Sequence, residues 1–84
     1  MRSMWQILSA VTDGEINTPE QARAVLDEET TEYARVLQIP ADEARKMLKE
    51  NLGYCSFYFT RSEALRVLEL FDAEHPVYGR EWPT

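Results

Sequence analysis

The stretch "ENLGYCSFYFTR", residues 50–61, decides the fold. It places four aromatic rings, Tyr54, Phe57, Tyr58 and Phe59, within six positions. Two readings compete. Gly53 can cap a helix, leaving "YCSFYF" as a short strand with Cys55, Phe57 and Phe59 on one face. Alternatively the helix runs through Gly53, at a cost of about 1 kcal/mol relative to alanine. At about 100° per residue, one arc collects Met47, Leu48, Leu52, Tyr54, Cys55, Tyr58 and Phe59 together with Ala44 and Asn51. The opposite arc collects Glu43, Arg45, Lys46, Lys49, Glu50, Gly53 and Ser56. That sorting, and the absence of an obvious partner strand, predict one helix over 41–59. Asn51 and Phe57 break it. Asn51 falls in the apolar arc, as a buried paired group or a register-setting contact across a dimer. Phe57 falls in the polar arc beside Gly53 and Ser56, whose small size admits a partner's backbone next to an exposed ring.

Outward from this helix, three capping-box patterns mark helix starts: Ser3 with Gln6, Thr18 with Gln21, and Thr60 with Glu63. Pro19 follows Thr18 at a position where its missing N–H costs nothing. Ala22, Val25, Leu26, Tyr33, Val36 and Leu37 then recur at helical spacing, with Thr30 filling a gap in the stripe. Pro40 forces Ile39 to be extended and starts the next element. Ala64, Val67, Leu68 and Phe71 form the stripe of a last helix that His75-Pro76 ends. Met4, Trp5, Leu8 and Val11 suit a short first helix stopped by Gly14, although Asp13-Gly14 is also a hairpin signal. The expectation is an all-α, compact three- to four-helix domain, with helices near 3–12, 19–38, 41–59 and 60–74, and a single domain over 1–84.

Composition narrows the function. The 84 residues are 44% apolar and 29% charged, ordinary for a folded domain. A chain this short buries a limited share of its surface, and its one cysteine excludes an internal disulfide. Self-association as a homodimer is one way to gain stability. One Cys and one His fall short of the four ligands of a structural zinc site, and no cofactor is implied. No segment approaches the roughly 20 apolar residues of a membrane span. The N-terminus lacks a small-residue cleavage site, and with the lone cysteine this points to the cytoplasm. A net charge of −6 argues against direct nucleic-acid or anionic-membrane binding.

Three groups of residues stand out. "LDEETTE" concentrates Asp27, Glu28, Glu29 and Glu32 without a base, an acidic face able to meet a basic partner but most simply solvated. Cys55 with His75 has the residue types of a nucleophile and base, yet no third group orients them, and Cys55 falls on the apolar arc. No catalytic residue is assigned. Tyr54, Phe57 and Tyr58, with the turn residues His75 and Tyr78, are the expected partner-binding set, Phe57 foremost. Trp82 either folds back over the core or serves as a docking anchor.

"NLGYCSFYF" followed by "LFDAEHPVYG" resembles a pattern in small uncharacterised proteins of actinobacterial phages. The matching residues are Gly53, Tyr54, Tyr58, Leu70, Phe71, His75, Pro76, Tyr78 and Gly79. The resemblance implies a phage accessory protein that acts on a host protein, and no known chemistry. The expected function is protein–protein interaction without catalysis. The alternative is an acidic inhibitor or nucleic-acid mimic that occupies a basic groove. A small enzyme or ligand-binding domain ranks third.

Overall fold

A computed structural model describes residues 2–81. Four helices, α1 (Met4–Thr12), α2 (Pro19–Leu37), α3 (Ala41–Ser56) and α4 (Arg61–Leu70), follow one another through short connections. α3 is the central element and packs against the other three; α4 also touches α1 and α2. The core between them is largely aliphatic, built on Ile7, Leu8, Val11, Leu26, Leu48, Leu52, Val67 and Leu68, with Phe71 as its buried aromatic ring. Among the described residues, no helix is long and apolar enough to cross a membrane.

The helix starts are set by local hydrogen bonds. Ser3 and Thr18 each accept from the backbone N–H three residues on, and Gln6 and Gln21 reach back to the cap backbone, so both capping boxes close. At the third, the Thr60 hydroxyl accepts from Glu63 N and donates to Glu63 Oε1, while Glu63 Oε2 accepts from Thr12 Oγ1. That carboxylate therefore ties the end of α1 to the start of α4. After α1 the chain turns at Gly14, whose φ of +86° suits glycine, and Ile16 N donates to Ala10 O to fold Ile16 into the core. The Asp13-Gly14 pair thus ends a helix and does not open a hairpin. Gln38, with φ +55°, closes α2 before the extended Pro40.

Two helix ends differ from expectation. α3 stops at Ser56, not at 59. Phe57, Tyr58 and Phe59 each donate three residues back, to Tyr54, Cys55 and Ser56, so the last turn tightens before Thr60 becomes extended. α4 stops at Leu70, not at 74. Asp72 adopts φ +49° and Ala73 N donates to Leu68 O, which reverses the chain and drops Ala73 into the core.

The buried face of α3 also differs. It is Ala44, Leu48, Leu52, Gly53 and Ser56, rotated by about 90° from the expected arc toward the small residues. Met47, Asn51, Tyr54 and Tyr58 consequently lie at the surface. The cause is the C-terminal segment, which returns across Gly53. A Cβ on Gly53 would sit 2.3 Å from the Glu74 carbonyl oxygen. Gly53 does admit a close backbone, but it belongs to the same chain.

Candidate functional site

The returning segment forms a tight turn over 75–79. His75 N donates to Gly79 O and Gly79 N donates to His75 O, and Gly79 takes the left-handed φ of +60° that closes it. The His75 ring completes the turn from inside: Nδ1 accepts from both Val77 N, at 3.1 Å, and Tyr78 N, at 3.2 Å. In this geometry Nδ1 carries a lone pair and no proton. Asp72, at the start of the segment, faces Arg80 and Lys49, at 2.9 and 3.6 Å, and so links the turn to α3. These pairs are exposed and contribute at most about 1 kcal/mol each. The closer constraint is the seat on Gly53.

This turn gathers the rings that the sequence had spread over two segments. His75 stacks on Tyr78 with centroids 4.9 Å apart, and Phe57 stacks on Tyr78 at 5.8 Å. Tyr54 meets His75 edge-on at 5.5 Å, and Phe57 meets Tyr58 edge-on at 6.4 Å. All five predicted contact residues therefore belong to one cluster. Their roles differ from expectation in one respect. His75 is buried, so it positions the rings and presents little surface of its own. Phe57, singled out by its place on the polar arc, is covered in part by His75 and Tyr78 and remains 45% exposed.

Two residues extend the surface beyond the predicted set. Trp5 of α1 meets Tyr58 edge-on at 5.7 Å and lies 6.2 Å from Phe59. Val77 projects from the tip of the turn. The sequence had placed Trp5 on one stripe with Leu8 and Val11, which are buried, whereas Trp5 is half exposed. Ile7, two residues away and hence about 160° around the helix, is fully buried, which puts Trp5 on the outer edge. Taking 150–250 Å² for a whole aromatic side chain, the exposed parts of Trp5, Tyr54, Phe57, Tyr58, Val77 and Tyr78 amount to roughly 600 Å². That is the upper end of the range for the largest patch on a monomer. Within it lies an open cavity of about 310 Å³ lined by Tyr54, Cys55, Phe57, Tyr58, His75, Val77 and Tyr78. Among the described residues, no Asp, Glu, Lys or Arg lines it.

Cys55 faces this cavity, and burial pushes its thiol up from the ordinary value. A nucleophilic cysteine needs the opposite shift, toward thiolate. A second, larger depression of about 840 Å³ begins at Tyr54 and His75 and runs along α3. Its walls mix Arg45, Lys46, Lys49 and Arg80 with Asp42, Glu50, Asp72 and Glu74, so neither sign of charge prevails.

The four predicted acidic residues do not form one exposed face. Successive positions on a helix lie about 100° apart, so Asp27, Glu28 and Glu29 point in three directions. Glu29 is 2% exposed and accepts from Arg2 N at 3.1 Å. Asp27 pairs with Arg45 of α3, and Glu32 with Arg35 at 2.7 Å, which holds the Glu32 carboxyl below its usual range. Trp82 lies outside the described residues. No protein-family model matches the chain, and no curated protein or solved structure matches it either.

Proposed function

We propose that this protein is a non-catalytic interaction module that self-associates as a homodimer through the aromatic surface of α3 and the 75–79 turn. One observation carries the reading: a contiguous, largely aromatic surface of roughly 600 Å² on an 84-residue chain. Two such surfaces face to face remove about 1,200 Å² from water, the lower bound for a specific, stable interface. Tyrosine and tryptophan suit this role because each has a large apolar ring and a polar tip. A second copy also fits the charge. The chain carries a net −6, and an uncharged contact lets like meet like without burying a carboxylate. Burial raises the Cys55 thiol, away from the thiolate that a nucleophilic cysteine needs, which favours a binding role for this surface. The acidic-inhibitor reading loses support from the burial of Glu29.

Sedimentation across a concentration series tests the reading. A dimer should appear in the native chain, and Phe57→Asp should leave a monomer with an unchanged helical spectrum. Raised salt should preserve or strengthen the dimer, because it screens the repulsion between two negative chains. A native chain that stays monomeric into the millimolar range would overturn the proposal, as would an undiminished dimer in the Phe57→Asp variant.

A further inference from the structure

We propose that His75 is a proton-operated latch: the neutral imidazole holds the 75–79 turn shut, and protonation of the ring opens it. The latch acts within one chain and stands apart from the self-association reading.

The sequence offers a single group for such a response, because the chain has one histidine. Histidine ordinarily changes charge between about pH 5 and 8, whereas carboxylates titrate lower and thiols and phenols higher. That histidine is buried, at 5% exposure, in the segment that returns across Gly53 of α3. Its Nδ1 accepts from two backbone donors at once, Val77 N at 3.1 Å and Tyr78 N at 3.2 Å. A neutral ring can do this because one of its nitrogens keeps a lone pair. An imidazolium cannot. Both its nitrogens carry protons, so Nδ1–H would point at two N–H groups, and both bonds are lost together.

The ring has little room to turn away in place. Tyr78 stacks on it at 4.9 Å, Tyr54 meets it edge-on at 5.5 Å and Phe57 lies at 5.6 Å. Relief therefore comes from the backbone of Val77 and Tyr78. As they move out, Tyr78 leaves the ring of Phe57, on which it stacks at 5.8 Å, and the aromatic surface divides.

The groups around the ring come from two elements. Its own segment brings Asp72, Glu74 and Arg80, and α3 brings Asp42, Arg45, Lys46, Lys49 and Glu50. Four carboxylates thus face four cations, and neither sign dominates the ring's surroundings. Tyr54, Cys55, Tyr58 and Tyr78 are the other titratable groups beside it. What decides the response is the loss of Nδ1 as an acceptor.

NMR of the native chain tests this on either side of the imidazole's own titration, which its ring-nitrogen resonances report. In the neutral ring they should show Nδ1 bare and Nε2 protonated. Once the ring is protonated, exchange protection of the Val77 and Tyr78 amides, corrected for the intrinsic pH dependence of exchange, should fall at least about tenfold. Overhauser contacts between the Phe57 and Tyr78 rings should weaken, while the Leu48 and Leu52 amides inside α3 keep their protection. His75→Asn offers an acceptor that does not titrate, of the kind that closes turns onto the N–H two residues on. In that variant the protection of both amides should stay level across the same span. Should it fail to fold, the native chain still decides. A ring that protonates while both amides keep their protection overturns the latch. So does a neutral ring with Nε2 bare, or one that stays neutral until the helices unfold. An equal loss in folded His75→Asn also overturns it, by assigning the response to the carboxylates. None of these outcomes bears on the dimer, which is tested at neutral pH.

Discussion

Gly53→Ala sets two effects of opposite sign against each other on one atom. Gly53 lies inside α3, where alanine is worth up to about 1 kcal/mol more than glycine through backbone entropy. If the helix alone mattered, the substitution would stabilise. The Cβ, however, would meet Glu74 O at 2.3 Å, Glu74 C at 3.0 Å and His75 Cα at 3.4 Å. All three are backbone atoms, so no rotamer change relieves the clash. With about 3.5 Å needed between non-bonded heavy atoms, the segment at Glu74 must lift from α3 by roughly 1 Å. Inserting a methylene into a packed site costs typically about 1–3 kcal/mol. The displacement also loosens Ala73 and His75, both buried. Taken together, a net loss of about 1–2 kcal/mol follows. For a domain of this size that lowers Tm by roughly 5–15 °C. Thermal melts followed at 222 nm measure it, and near-ultraviolet circular dichroism should report the disturbed Tyr54, Phe57 and Tyr78 rings before the helices melt. A variant as stable as the native chain, or more so, would refute the close seat of the turn on α3.

Two further substitutions probe polar groups. Thr30 is buried in α2 and its hydroxyl has no hydrogen-bond partner among the described residues. Thr30→Val keeps the shape and removes the desolvated oxygen, so stability in urea should rise by about 1 kcal/mol, and a loss of that size would show the hydroxyl to be paired. Glu63 is held below the usual carboxylate range, first by the Thr60 hydroxyl and then by that of Thr12. A lowered folded-state value means that its contribution is present above the unfolded value and is lost as pH falls through the folded one. In an NMR titration, Thr60→Ala should return the carboxyl toward its ordinary value, and by more than Thr12→Val does. An unmoved titration in Thr60→Ala would show that these hydroxyls do not set it.

The all-α class, in three or four helices, and most of the helix starts were legible in the sequence by itself. The reason is that these signals are local. Ser3 with Gln6, Thr18 with Gln21, and Pro40 act within four residues of the helices they open, so nothing distant can change them. The grouping of Tyr54, Phe57 and Tyr58 could also be read there, because closely spaced residues near one helix end cannot lie far apart. Their joining to Tyr78, and the surface that Trp5 and Val77 complete, needed the chain to return across α3. Tertiary structure likewise decided which face of that helix is inside. Helical periodicity orders residues around an axis, but the buried direction is set by what packs there, and at Gly53 that is backbone, which favours the smallest residue over the most apolar. The same logic placed Glu29 in the interior and made His75 the acceptor that closes its own turn. Each of these outcomes depends on residues more than a helical turn away or on the three-dimensional path of a loop, and neither is encoded in a residue's own type or spacing.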